Sequence, residues 1–290
     1  MFHLRYFELA KKLVVAILRV GVQHAFRLVR GWLLFQRMIF FSKSHALSEF
    51  GVEIRKMHLS RKINNELHGI VSYGPFKGLK LLGDSSWLPS NRGNMLLGLY
   101  EKEISELIAT ESKGFKYLVD VGAADGYFGL GALVANLFEH AYLFESSEKG
   151  RSILSDQAQS NGISDRVSIF GLADESFLEK IPSAQLSDSL ILLDIEGGEF
   201  SILTGDNLYK LRNNILIVEM HHEFLSNGKE VLDSFRRMVD QLYEVEVIET
   251  GSRNLLHIPE IRSWSDNDRW LICSEGRPLL PTWWVLRPKK

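Results

Sequence analysis

A chain of 290 residues holds one large domain, or one ordinary domain and an extension. With 45% hydrophobic and 24% charged residues it has the profile of a globular protein, and a net charge of −2 excludes the global basic field that nucleic acid would need. The single cysteine, Cys273, excludes an internal disulfide and a multi-cysteine metal site, and fits a reducing compartment such as the cytoplasm.

The charge is unevenly placed. Residues 1–43 carry Arg5, Lys11, Lys12, Arg19, Arg27, Arg30, Arg37 and Lys43 against Glu8 alone, a charge of +7 that leaves −9 for the remainder. The apolar run Leu13–Leu18 is cut by Arg19, which makes a poor signal peptide. No charge-free run in this stretch reaches the ~18–20 residues of a transmembrane helix. One or two basic, apolar helices are predicted over residues 1–45. Two expectations stand for them. Either they cover the rest of the chain or a second subunit of a homodimer, or they lie peripherally on the inner face of a membrane, with Lys and Arg reaching anionic lipid.

Gly69–Leu82 (GIVSYGPFKGLKLL) reads as two short strands about the Gly74-Pro75 turn, and residues 85–94 are turn-rich. Tyr100, Ile104, Leu107 and Ile108 recur at helical spacing, so a helix is predicted over Leu99–Thr110. From residue 116 strands and helices alternate. Strands are predicted over Tyr117–Val121, His140–Phe144, Val167–Phe170, Leu190–Leu193 and Ile215–Val218, and helices over Gly126–Phe138 and Gly150–Asn161. Lys229–Leu242 has the clearest helical period, with Val231, Leu232, Phe235, Met238, Val239 and Leu242 on one face. Tyr243–Ile248 and Trp270–Cys273 are expected to close the sheet as strands, and Trp283 and Trp284 to pack the sheet or a dimer face. The whole predicts an α/β, Rossmann-like domain over residues 98–290. It has a seven-stranded, mostly parallel sheet with helices on both faces, preceded by an extension over residues 1–97.

Such sheets bind ligands beyond the carboxyl ends of their strands. The stretch YLVDVGAADGYFGL (117–130) is a buried strand ending in Asp120, a glycine turn and the start of a helix. The glycines allow a sharp turn, and the helix offers free N–H groups. A G-x-G-x-x-G dinucleotide fingerprint fails in both frames. From Gly122 it meets Ala124 and Tyr127, and from Gly126 it meets Phe128. The D-x-G-x-x-x-G spacing instead matches motif I of class I methyltransferases. That match assigns Asp120, Gly122, Ala123, Ala124, Gly126 and Tyr127 to an S-adenosylmethionine cofactor. Glu145 ends the next strand, where a carboxylate can accept both ribose hydroxyls. A side chain at Gly122 is expected to fill cofactor space while sparing the fold.

Farther on, LILLDIEGGEFSIL (190–203) runs a buried strand into Asp194, Glu196 and Glu199, and IVEMHHEF (217–224) runs another into Glu219, His221 and His222. Here the chain resembles the FkbM family of methyltransferases. That family shows D-x-G-A in motif I, D-x-E-G-x-E after strand four and E-x-H after strand five. The corresponding residues are Asp120, Gly122 and Ala123; Asp194, Glu196, Gly197 and Glu199; and Glu219 and His221. Asp125 stands where many members carry asparagine. The resemblance covers about residues 98–275, and LLGLYEKEISEL (96–107) and DRWLICSEGRP (268–278) also look like a bacterial subgroup. It implies O-methylation of a small-molecule or glycan hydroxyl, with Asp174 and Asp194 beside the cofactor.

An alcohol needs help to lose its proton. His221 is the expected general base, oriented by Asp194 and Glu196 and without a metal. A divalent cation held by Asp194, Glu219 and His221 is the alternative. Glu199 is expected to be an ordinary acid at a helix N-terminus. Competing readings are a dehydrogenase and a non-catalytic scaffold that kept the fold.

Overall fold

The computed structural model describes residues 45–83, 89–277 and 282–290, the side chains of 45–49 excepted. The helices expected in residues 1–44 therefore lie outside the described residues. The chain divides into two compact units, Met1–Glu53 and Ile54–Lys290. The first contributes only the opening turns of helix α1 (His45–Leu67) to the described residues, with Phe50 and Val52 exposed. Among the described residues no helix is long and apolar enough to cross a membrane.

In the second unit, Lys56, Leu59, Ser60 and Ile63 of α1 are buried at helical spacing. This helix escapes a hydrophobicity reading because two of its buried positions are polar. Both are paired: Lys56 Nζ donates to Asn91 Oδ1, and Ser60 Oγ donates to the Ser90 carbonyl at 2.5 Å. The expected hairpin of residues 69–82 is a loop with one antiparallel bridge, Ile70 to Lys80. Val71, Phe76 and Leu79 drive it into the main core beside Tyr127 and Phe128. Helices α2 (Arg92–Leu96) and α3 (Lys102–Glu111) follow.

The sheet has seven strands in the order β3-β2-β1-β4-β5-β7-β6. They are β1 (Tyr117–Val121), β2 (His140–Phe144), β3 (Val167–Phe170), β4 (Ser189–Leu193), β5 (Leu216–Met220), β6 (Tyr243–Glu249) and β7 (Thr282–Pro288). The first five pair in parallel, and β7 runs antiparallel to both β5 and β6. Alternate residues serve opposite faces. Leu118, Leu190, Leu192, Ile217 and Trp283 join one core, and Val119, Ile191, Leu193, Val218 and Trp284 join the other. Leu190 to Leu193 have no exposed surface, and each contributes ~1.5–3 kcal/mol of burial. Helix α4 (Tyr127–Val134) links β1 to β2, α5 (Glu148–Ser160) links β2 to β3, and α6 (Ser183–Leu186) precedes β4. Helices α7 (Glu199–Ile202) and α8 (Gly205–Lys210) lie between β4 and β5, and α9 (Gly228–Val239) follows β5.

One strand assignment is corrected. Trp270–Cys273 is not a strand but the end of helix α10 (Asp266–Cys273). Ser265 caps it by accepting from Asp268 N–H, and Asp266 and Asp268 load its first turn with the charge a helix N-terminus favours. The closing strand is β7, whose Trp283 and Trp284 pack on the two sheet faces.

Candidate active site

The strand order reverses between β1 and β4, the switch point where such sheets bind ligands. A cleft of ≈ 570 Å³ lies there, within the ~300–1,000 Å³ usual for small-molecule sites. Gly122, Ala124, Glu145, Asp174, Asp194 and Glu196 line it, so six of the expected site residues converge on one space. Phe144, Leu172, Ala173, Ile195 and Ile202 add an apolar wall.

The turn after β1 is built by backbone geometry. Gly122, Ala124 and Gly126 have φ of +95°, +49° and +86°. Glu145 holds this turn in place. Its Oε2 accepts from Ala124 N–H at 3.0 Å and its Oε1 from Ser147 N–H at 2.7 Å. Each oxygen keeps a second lone pair for a ligand hydroxyl. Gly122 is pressed against the other rim: a Cβ there would stand 1.7 Å from the Asp194 carbonyl oxygen. The expectation that a side chain at Gly122 spares the fold is therefore corrected, because it would push β1 and β4 apart. Asp174 is exposed, and its Oδ1 accepts from the N–H and Oγ of Ser176 at 2.9 and 2.6 Å. Those bonds hold its pKa below the ordinary value.

Asp120, Ala123 and Tyr127 are buried behind the cleft wall. Tyr127 packs edge-on against Phe76 and Tyr100, and Gly126 is the left-handed residue that starts α4. Burial pushes the Asp120 carboxyl up to about 7, against the pull of Gly129 N–H and with a further push from Glu145.

The second half of the site gathers at the ends of β4 and β5. His221 Nε2 lies 3.6 Å from Asp194 Oδ1, 3.4 Å from Glu219 Oε2 and 3.9 Å from Glu196 Oε2, and its Nδ1 lies 3.5 Å from Glu199 Oε1. Glu196 reaches its position with φ +53°. Glu199 is not a solvated helix-end acid. It is fully buried, and accepts from His221 N–H at 2.8 Å and Gly197 N–H at 2.9 Å. Burial alone would lower the His221 pKa, but Glu199, Glu219 and Asp194 raise it to about 11. Burial and the Glu219 charge drive Asp194 well above the usual carboxylate range.

Sequence reading missed the ionic framework behind this cluster. Arg277 pairs with Glu101, with Glu219 Oε1 at 2.5 Å and with Glu275 Oε2 at 3.3 Å. Arg253 joins Glu103 at 2.6 Å to Glu275 at 3.0 Å. Glu101 is buried at φ +40°, and burial raises both the Glu275 carboxyl and the Tyr100 hydroxyl. The signal was present in LLGLYEKEISEL and DRWLICSEGRP, which carry Glu101, Glu275 and Arg277, but nothing in either stretch announces that they meet.

A 3-2-1-4-5-7-6 sheet with one antiparallel strand, a motif I turn and an acid ending β2 define a class I methyltransferase domain. The profile of the methyltransferase FkbM domain matches residues 71–246, and the chain belongs to this family. It is an S-adenosylmethionine-dependent methyltransferase. A search of the curated proteins returned no match. Solved structures similar to the chain include cofactor-bound Rv0187 from MTB, at 10% identity over 64% of this chain and 79% of that one, with a TM-score of 0.43. Sp1610 from Streptococcus pneumoniae in complex with S-adenosyl-L-methionine matches at 17% identity over 66% and 73%, with a TM-score of 0.43. TrmK from B. subtilis matches at 13% over 64% and 65%, with a TM-score of 0.42.

The lining fits the cofactor chemically. Glu145 offers acceptors to ribose hydroxyls, the apolar wall suits a purine face, and Asp194 and Glu196 suit a cationic sulfonium and ammonium.

Proposed function

We propose that this enzyme methylates a hydroxyl oxygen of a sugar, a lipid-linked glycan or a secondary metabolite. The observation that carries this reading is the carboxylate–histidine cluster at the rim of the cofactor cleft. When bound, S-adenosylmethionine supplies a methyl group on a sulfonium, open to in-line displacement. A hydroxyl acceptor has a pKa near that of water, about 16, and must give up its proton as it attacks. Asp194 and Glu196, both on the cleft wall, are the groups that receive it. His221, which lies 3.6 Å from Asp194 and 3.9 Å from Glu196, positions them. Glu199 and Arg277 hold His221 and Glu219 from behind. The excess of carboxylates at the rim repels a phosphodiester backbone, which favours a neutral acceptor over nucleic acid.

The +7 stretch of residues 1–43 would carry the enzyme to the cytoplasmic face of an anionic membrane, close to lipid-linked acceptors. Co-sedimentation with anionic liposomes tests this: binding should weaken with salt and vanish on deleting residues 1–43.

The test of the reaction is mass spectrometry of glycans, glycolipids and hydroxylated metabolites incubated with enzyme and cofactor. A gain of one methylene mass unit on a hydroxyl oxygen supports the reading, and transfer confined to nitrogen or carbon contradicts it. His221→Ala should cut turnover by about 10²-fold with cofactor affinity retained, the cost of misplacing the carboxylates it positions. Unchanged turnover would remove the cluster from the chemistry.

A further inference from the structure

We infer that Asp194, Glu219 and His221 bind one divalent metal ion at the edge of the cofactor cleft, an inference that rests on the hydroxyl-methylation reading and deepens it. The three side chains leave the carboxyl ends of neighbouring strands β4 and β5, and each brings one donor atom into a group whose members all lie within 4.8 Å of one another. His221 Nε2 stands 3.6 Å from Asp194 Oδ1 and 3.4 Å from Glu219 Oε2. An ion ~2.0–2.2 Å from each ligand needs donors roughly 3.0–3.6 Å apart. The two pairs that include His221 already meet that spacing, and the third donor pair lies within 4.8 Å.

Two further observations point to a cation. Glu219 is 1% exposed, and its Oε2 accepts no hydrogen bond of good geometry among the described residues, its neighbour there being His221 Nε2 at 3.4 Å. Its other oxygen is fixed by Arg277 at 2.5 Å, so Oε2 is held aimed at His221. A buried carboxylate oxygen without a good hydrogen bond is costly, and a metal ion is a partner of the right sign. The second observation is the far side of the imidazole. Nδ1 faces Glu199 Oε1 at 3.5 Å, and Glu199 has no exposed surface and is pinned by two backbone N–H groups. A carboxylate behind the non-ligating nitrogen is the usual support of a metal-bound histidine.

Two carboxylates and an imidazole suit Mn²⁺ better than Mg²⁺, which favours an all-oxygen shell. Three protein ligands leave positions open, and Asp194 lines the cleft, so the open side faces the reacting groups. An acceptor oxygen on the ion loses its proton more readily. Glu196, 57% exposed and 3.9 Å from Nε2, takes that proton and passes it to water. The O–H bond breaks, an O–CH₃ bond forms and the S–CH₃ bond breaks. The sulfonium leaves as a neutral thioether, so charge and atoms balance.

The test is titration of the full chain, stripped with EDTA and dialysed, with Mn²⁺ followed by the electron paramagnetic resonance of the free ion. No cofactor or acceptor is present. One ion per chain is expected. Asp194→Asn and Glu219→Gln should each weaken binding at least tenfold, and Glu199→Gln about tenfold, while His222→Ala should leave it unchanged. Melting curves confirm that the variants are folded, and the conservative pair keeps the test valid should one of them not be. No binding by the wild-type chain, or equal binding by Asp194→Asn, overturns the site. Methyl transfer to a hydroxyl that persists in EDTA overturns the ion while sparing the reaction. Ion binding with no hydroxyl methylated upholds the site and overturns the reaction it was assigned.

Discussion

The two rims of the active site are built by different physics. The cofactor rim, from Val121 to Ala124 with Glu145, is local: one turn of positive-φ residues closed by a carboxylate that accepts two backbone N–H groups. The opposite rim is long-range. Asp194, Glu196 and Glu199 leave β4, Glu219 and His221 leave β5, and Glu101, Arg253, Glu275 and Arg277 arrive from distant segments. The first rim depends on backbone shape, the second on balance among buried charges. Shape tolerates no added atoms, whereas charge balance tolerates no deleted partner.

Substitutions at the two rims should therefore fail in different ways. The largest effect is expected for Gly122→Val. Its Cβ would enter the Asp194 carbonyl at a φ of +95° that β-branched residues avoid, so the variant should show little folded protein in circular dichroism. A cooperative melt like that of the wild type would show that the rim can open, and the shape argument would lapse. Next comes Arg277→Met. It strands Glu101 and Glu219, each 1% exposed in the ion pair, and should cost about 3–5 kcal/mol in urea unfolding. A deficit below about 1 kcal/mol would show that the two buried carboxylates do not depend on Arg277.

Asp120 sharpens the contrast from the cofactor side. Burial raises its pKa to about 7, above an unfolded value near 4. The folded state then binds the extra proton between those values, so wild-type stability should fall as pH rises from about 4 through about 7. Asp120→Asn removes that dependence. Its gain over wild type should grow across the interval, to the order of 4 kcal/mol. A gain that stays flat with pH would mean that the carboxylate is already ionised and solvated.

The same division explains what could be read from sequence. The β1 turn was legible because its signals are contiguous: Asp120, Gly122 and Gly126 sit within seven residues of a buried strand. Asp194 and His221 were legible because each ends an apolar strand. Glu199 was misjudged, since an acid at a helix start reads as solvated, and only the fold folds it under His221. Arg277 was invisible because two of its three partners, Glu101 and Glu219, lie far from it in sequence. Trp270 to Cys273 failed for a simpler reason. A short apolar run suits strand and helix alike, and the Ser265 cap that settles it lies upstream.

The most direct test of the cofactor assignment is isothermal titration of S-adenosylmethionine into the wild-type chain and into Glu145→Ala. The cleft geometry predicts one cofactor per chain, and a loss of about 1.5–3 kcal/mol in the variant, the worth of hydrogen bonds to a charged group. Equal affinity in the two proteins, or no heat from the wild type, would contradict a cofactor seated against Glu145 at the end of β2.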